Sequence, residues 1–330
     1  MTGIRKNKIL ITGGAGFIGS NLCGYFISKN YQVVCLDNFS TGFRHNIESF
    51  LKEDNFTLIE GDITNFSDCQ EAVKGVEFVL HQAALGSVPR SLKDPITTNN
   101  VNVGGFVNML TASKDEGVKR FIYAASSSTY GDSKDSIKVE QSIGKPLSPY
   151  AVTKYVNEVY ADVFSRLYNI ETIGLRYFNV FGRKQDPNGA YAAVIPKFFS
   201  KLLSGESPVV NGDGSYSRDF TYIDNVIQMN ELAVLASNQE ALNTVYNVAY
   251  GERTTLNELI AYIKEALEIY DDKVNDIPIT YGSKREGDIP HSLADIEKAK
   301  KLLGYQPLFS LREGLKEAAQ WYWENLKSNH

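Results

Sequence analysis

A doubly wound parallel α/β sheet is the architecture this sequence predicts, and three observations lead to it. Short apolar runs bounded by turn residues alternate with longer amphipathic stretches through the first half of the chain, the pattern of strands buried on both faces and crossed over by helices. The first run opens into a glycine-rich turn that leads into a helix. Proline, glycine and asparagine become frequent only afterwards, as in Arg183-Lys184-Gln185-Asp186-Pro187-Asn188-Gly189 and Asn211-Gly212-Asp213-Gly214-Ser215. A regular layered unit is therefore followed by a smaller, less regular mixed α/β lobe over the open end of the sheet.

Taken in order, Lys8–Thr12, Gln32–Asp37, Phe56–Glu60, 77–82 and Arg120–Ser126 are short and rich in Val, Ile, Leu or Phe, as strands require. Glu171–Tyr177 and 245–248 continue the series. Helical spacing falls between them at 17–29, 98–116 and 150–168, and later at 255–267 and 310–326. The expected division is 1–182 for the sheet domain, with 215–250 returning to it, and 183–330 mainly for the second lobe. At 330 residues the chain has room for both.

Composition narrows the function. A net charge of −5 gives no footprint for nucleic acid or an anionic membrane. No apolar run approaches the ~18 residues of a membrane span. The polar start of the chain runs into a strand and a turn, not a signal peptide. Cys23, Cys35 and Cys69 sit in patterned stretches without metal-ligand spacing, so reduced packing thiols, no metal and a soluble cytoplasmic protein are expected.

In Thr12-Gly13-Gly14-Ala15-Gly16-Phe17-Ile18-Gly19, Gly13 permits a tight turn, Gly16 admits a pyrophosphate to the backbone, and Gly19 allows close helix packing. The helix start offers free N–H groups to phosphate. Asp37 ends the next strand, where a carboxylate accepts from both ribose hydroxyls and repels a 2′-phosphate. A Rossmann-type domain selecting NAD over NADP is the expectation. Asp62, ending the third strand, is placed to reach the adenine edge.

Tyr150 and Lys154 stand one helical turn apart, so phenol and ammonium share a face. A free phenol, with a pKa of about 10, is a poor base at neutral pH, and a nearby cation in a desolvated pocket stabilises its phenolate. Such a group can take a proton from an alcohol and return it. The run Ser126-Ser127-Ser128 ends the fifth strand, at the edge where open α/β sheets bind ligands.

Gly13-x-x-Gly16-x-x-Gly19, Asp37, Asp62, His81-Gln82-Ala83-Ala84, the serine run, Tyr150-x-x-x-Lys154, Arg176-Tyr177-Phe178-Asn179-Val180-Phe181-Gly182, Arg218-Asp219-Phe220-Thr221-Tyr222-Ile223-Asp224 and Arg285-Glu286-Gly287-Asp288 together resemble the extended short-chain dehydrogenase/reductases. That family comprises nucleotide-sugar epimerases, dehydratases and decarboxylases, and the resemblance covers nearly the whole chain. It implies cofactor contacts from Gly13, Gly16, Phe17, Ile18 and Gly19, and from Asp37, Asn38, Ser40, Thr41 and Gly42. It extends them to Asp62, Ile63, Gln82, Ala83, Ala84, Asn100, Tyr150, Lys154, Tyr177 and Val180. Sugar 4,6-dehydratases carry Thr-Asp-Glu where this chain has its serines; without those acids the resemblance favours a 4-epimerase. Tyr150 is then the base, Lys154 holds the nicotinamide ribose and lowers the phenol pKa, and Ser126 binds O4, with Ser128 second in line for that role.

For the substrate, the resemblance implies Asn179 and Arg218 at a diphosphate, with Arg285 as a second cation beside Asp288 and Asn211. Ala193, Val194 and Phe198 are implied around a uracil. Ser292 aligns with a position that roofs the sugar in UDP-galactose 4-epimerases; a tyrosine there restricts the site to plain hexoses, and serine leaves volume at C2. The loop Ala84-Leu85-Gly86-Ser87-Val88-Pro89-Arg90-Ser91 resembles that of UDP-N-acetylglucosamine and uronic-acid epimerases, with Gly86, Ser87 and Ser127 near the sugar and Arg90 as a possible charge contact. The expected function is C4 epimerisation of a UDP-N-acetylhexosamine or its uronic acid through a 4-keto intermediate, by a homodimer joined through a four-helix interface. The other readings are a dehydratase- or decarboxylase-type oxidoreductase and a non-catalytic NAD(H)-responsive regulator.

Overall fold

The computed structural model describes residues 7–189, 192–283 and 290–327. The chain begins with β1 (Lys8–Thr12), α1 (Phe17–Ser28), β2 (Gln32–Asp37), β3 (Phe56–Glu60), α2 (Phe66–Ala72) and β4 (Phe78–His81). Two short helices, α3 (Val88–Lys93) and α4 (Pro95–Asn99), precede α5 (Gly105–Glu116), β5 (Arg120–Ser126), α6 (Pro149–Tyr168) and β6 (Glu171–Tyr177). Seven strands form one parallel sheet in the order β11-β6-β5-β4-β1-β2-β3, where β11 is Thr244–Val248. Its two faces are covered by separate apolar layers, as a parallel sheet requires.

Between β6 and β11 the chain leaves the sheet. It forms β7 (Val180–Phe181), α7 (Val194–Leu203), β8 (Val209–Asn211), β9 (Ser217–Arg218) and β10 (Thr221–Tyr222), then returns through α8 (Ile223–Leu235). After β11 come β12 (Thr254–Thr255), α9 (Leu256–Glu268), β13 (Thr280–Gly282), α10 (Glu297–Leu303) and α11 (Leu311–Leu326). Two-stranded pairs β7·β10, β9·β12 and β8·β13 fold the lobe back on itself. Thr255 and Ser310 each close a capping box with the glutamate three residues on, which fixes the starts of α9 and α11. No described helix is long and apolar enough to cross a membrane.

The expected helix at 98–116 is interrupted. Residues Asn100–Gly104 form a π turn between α4 and α5, and the cause lies outside the local sequence. The Asn102 amide is drawn out to the backbone of Leu85, accepting from its N–H at 2.7 Å and donating to its carbonyl at 3.1 Å. It also donates to Thr153 Oγ at 3.3 Å. One residue's excess in the helix gives this clasp its register.

Candidate active site

A cavity of about 410 Å³ runs along the carboxyl ends of β1, β2, β4, β5 and β6, where the sheet order reverses direction around β1 and β4. Gly13, Gly16, Phe17, Ile18 and Gly19 line its floor, Asp37, Asn38, Ser40, Thr41, Gly42, Asp62 and Ile63 one end, and Ser126, Tyr150 and Lys154 the other. Gln82, Ala83, Ala84, Gly86, Tyr177, Asn179 and Val180 complete it, together with Leu85, Val101 and Ala124. Leu85 belongs to the loop after β4, whereas Val101 and Ala124 carry no motif and enter because their neighbours in space do.

The floor fits an extended dinucleotide. Gly13 has φ +66°, and a Cβ there would lie 2.9 Å from the backbone of Ala83. A Cβ on Gly19 would lie 2.1 Å from the Gly13 carbonyl oxygen, so the helix packs on the turn only without a side chain. Asp37 is fixed by the Ala15 and Phe39 N–H groups at 2.8 Å each. Asp62 accepts from Asn38 at 2.8 Å and from the Thr64 N–H and hydroxyl at 2.7 Å. Burial pushes the Asp62 carboxyl up, yet those hydrogen bonds outweigh it and hold the group below its ordinary range. A fixed carboxylate beside β2 and an ionised one beside β3 are what a ribose and an adenine edge ask for.

At the other end, Ser148 caps α6 by accepting from the Ala151 N–H at 3.1 Å, and Pro149 occupies its first turn. That start aims Tyr150 and Lys154 at the end of β5. Lys154 is buried and donates to the Ala124 carbonyl at 2.7 Å; its nitrogen is 6.0 Å from the centre of the Tyr150 ring. Burial raises the Tyr150 phenol above its usual value, and a side-chain hydrogen bond with Ser126 pulls it back down. Burial also lowers Lys154 to about 8, against the attraction of Glu158. The protein thus loosens the proton of the ammonium, and the hydroxyl of Ser126, more than Lys154, eases the phenol.

Ser126 accepts from the Ser128 N–H at 3.1 Å and from the Ser128 hydroxyl at 2.9 Å. Ser126 lines the cavity, Ser128 orients its oxygen through these two bonds, and Ser127 and Ser128 are half-buried beside it in sequence. His81 is buried and held to about 3 by desolvation and by Lys154, so it is neutral, and its Nδ1 lies 3.0 Å from the Thr12 hydroxyl. Gln82 accepts from the Tyr177 hydroxyl at 3.2 Å, and that hydroxyl accepts from Asn230 at 3.0 Å. No three His, Cys, Asp or Glu side chains gather to hold a metal among the described residues.

The remaining expected residues are distributed less tightly. Asn100 is exposed on the π turn, and it is Val101 that reaches the cavity. Ser87 caps α3 with φ +101°, accepting from the Arg90 N–H at 3.2 Å. Asn179, at φ +35°, donates to the Asp219 carbonyl at 2.8 Å. Ala193 and Val194 begin α7, and Asn211 is exposed at the end of β8. Phe198 is turned into the core, because the face of α7 that carries it packs on α9 and α11. Arg218 is half-buried on β9 and donates to the Pro290 carbonyl at 3.2 Å, while the Ser292 N–H donates to the Ser217 carbonyl at 3.1 Å. These two bonds bring Arg218 and Ser292 onto one ledge of the second lobe. Arg285 and Asp288 lie outside the described residues.

Residues 9–249 match the family described as NAD dependent epimerase/dehydratase. The chain belongs to this family. A UDP-N-acetylglucosamine 4-epimerase of Methanobrevibacter ruminantium M1, solved with UDP-N-acetylmuramic acid, is 38% identical and superposes with a TM-score of 0.89 over 97% of this chain and 98% of that one. A UDP-glucuronic acid 4-epimerase of Bacillus cereus, solved with UDP-glucuronic acid and NAD, is 30% identical with a TM-score of 0.86 over 96% and 99%. A putative UDP-glucose 4-epimerase of Methanocaldococcus jannaschii is 36% identical over 96% of this chain and 99% of its own length. This NAD dependent epimerase/dehydratase family member shares its length and fold with UDP-sugar 4-epimerases, and the sugar differs among them.

Proposed function

We propose that this chain is a UDP-N-acetylhexosamine 4-epimerase, acting on UDP-GlcNAc and UDP-GalNAc or on the corresponding uronic acids. The observation that carries the reading is the grouping of Tyr150, Ser126 and Lys154 at one end of a dinucleotide-shaped cavity, with hydroxyls and no carboxylate in the serine run. Tyr150 takes the proton of the sugar 4-hydroxyl and later returns it; Ser126 hydrogen-bonds O4 and the phenol; Lys154 supplies the positive charge and a donor for a ribose. NAD bound here would supply a reversible hydride acceptor for C4, and the return of hydride to the opposite face requires the 4-keto sugar to turn over in the site. Gly13, Gly16, Asp37 and Asp62 would hold the cofactor. Because oxidation and reduction cancel in each turnover, cofactor exchange is unnecessary.

Ser292 supports the N-acetyl assignment through the resemblance, which sets it at the position that roofs the sugar, where a small side chain would leave space at C2. A homodimer belongs to the same reading: Val152, Tyr155, Val159 and Tyr160 on α6, with Ile96 on α4, are exposed apolar side chains on adjoining helices, and light scattering of the purified protein reports the mass. The deciding experiment incubates the protein separately with UDP-GlcNAc, its uronic acid and UDP-glucose and resolves the C4 epimers by NMR. Conversion of the N-acetylated sugars without net absorbance change at 340 nm is expected. Accumulation of NADH, or turnover of UDP-glucose alone, contradicts the reading.

A further inference from the structure

Tyr150, Lys154 and Glu158 follow one another at four-residue intervals on α6, so they occupy one face, a turn apart. Glu158 is buried. Arg176, on β6, closes a fork on it, donating from Nε to one carboxylate oxygen at 2.8 Å and from Nη2 to the other at 2.7 Å. The guanidinium is itself buried, donates to the Glu140 carbonyl at 3.1 Å and lies 4.9 Å from the centre of the Tyr130 ring. We propose that Glu158, anchored by Arg176, is a positioning residue that keeps the buried Lys154 charged.

The need for such a group follows from the surroundings of Lys154. Its hydrogen bond goes to the Ala124 carbonyl, which is a dipole and not a counter-charge. Burial favours the neutral amine, and Glu158 is the opposing influence. The titratable groups on the neighbouring elements offer no substitute. His81 on β4 is neutral, and Tyr123 on β5 is buried with its phenol well above its ordinary value. On β6, Arg176 is a cation, Glu171 is paired with Arg120 of β5, and burial pushes the Tyr177 phenol up to about 12; on α6 itself Asp162 is paired with Arg166. The turn after β5 carries Tyr130, held at about 12 chiefly by burial. The π turn and α4 have no charged residue, and α3 contributes only the cations Arg90 and Lys93. On α5, Asp115 is paired with Lys114, and Glu116 accepts from the Gly75 N–H.

Arg176 is required for a separate reason. A bare carboxylate at this depth is costly, whereas a bidentate partner satisfies both oxygens and fixes their direction. Both Glu158 oxygens are held by the guanidinium, which fixes the carboxylate one helical turn from Lys154 on the same face of α6.

The inference rests on Tyr150 being the base and Lys154 its cationic partner. Activity that needs a protonated Lys154 falls as pH rises through that group's pKa, so the alkaline limb of the kcat–pH profile reports it. The test measures that limb with the NAD-loaded protein and UDP-GlcNAc from pH 6 to 10. Glu158→Gln should move the limb to lower pH by about one unit, costing roughly tenfold in kcat at pH 9, with KM nearly unchanged. Glu158→Asp, which keeps the charge, should bring the limb most of the way back. Should Glu158→Gln fail to fold, the double variant Glu158→Met with Arg176→Met removes both charges, a replacement buried pairs tolerate well, and an acid shift in the same direction is expected, smaller because the Arg176 cation is lost with the carboxylate. A limb that superimposes on wild type in the Gln or double-Met protein, whatever the fall in kcat, overturns the proposal and leaves the pair structural. Tyr150→Phe run beside them separates the two levels. Normal turnover there removes the base assignment, whereas an inactive Tyr150→Phe with an unmoved limb removes only the role of Glu158.

Discussion

The Lys154 ammonium donates to the Ala124 carbonyl at 2.7 Å while standing 6.0 Å from the centre of the Tyr150 ring. A single buried cation is thus tied to the end of β5 and spread between a backbone dipole and a phenol.

That placement has a stability signature. Burial brings Lys154 to about 8 in the folded protein, against roughly 10.4 unfolded. The unfolded chain therefore binds the extra proton between those values, and stability rises with pH from about 8 to 10.4. Below pH 8 the full penalty applies. Lys154→Met in the cofactor-free protein is expected to be about 2 kcal/mol more stable than wild type at pH 7, with the advantage shrinking toward pH 10. Denaturant midpoints at the two pH values check this; a variant less stable at pH 7 contradicts it.

Tyr150→Phe keeps the ring and removes the hydroxyl that meets Ser126. Turnover should fall by at least about 10²-fold, the usual worth of a positioned base, while bound NAD, read by absorbance after denaturation, stays near wild type. Near-normal kcat would remove the phenol from the chemistry.

Gly13→Ala puts a Cβ 2.9 Å from the Ala83 backbone on a residue with φ +66°. The Cβ is fixed rigidly to the turn and what it meets is backbone, so neither can yield cheaply. A loss of about 2–4 kcal/mol in stability is expected, together with loss of co-purifying NAD. Unchanged melting temperature and cofactor content would mean that the turn relaxes.

Ser292→Tyr tests the ledge that Ser292 shares with Arg218. A phenol there should lower kcat/KM for UDP-GlcNAc by about tenfold or more and leave UDP-glucose nearly unaffected, a discrimination of the size a filled pocket gives. Equal losses on both sugars would show that the residue does not border C2.

The sheet was legible because its strands are buried on both faces and bounded by turn residues. Lys8–Thr12, Gln32–Asp37, Phe56–Glu60, Arg120–Ser126 and Glu171–Tyr177 need no distant partner to be recognised. Gly13, Asp37, Ser126, Tyr150 and Lys154 were legible for a related reason: each sits at a strand end or helix start, a place that sequence marks. The π turn was not, since Asn102 breaks the helix through bonds to Leu85 and Thr153 that local periodicity does not carry. Phe198 illustrates the converse, for the packing of α7 on α9 and α11 decides that its ring turns inward. The Glu158–Arg176 fork joins a helix to a strand and was invisible until both were placed.

β11 returns to pair with β6 after the chain has built much of the second lobe. A truncation at residue 182 would therefore strip the sheet of its edge strand and of α8, and bare the apolar surface of β6. The cofactor half is not a detachable module. Exchanging substrate preference by grafting requires three seams, one after β6, one before α8 and one after β11, so recombination between relatives must cut this fold three times to keep it whole.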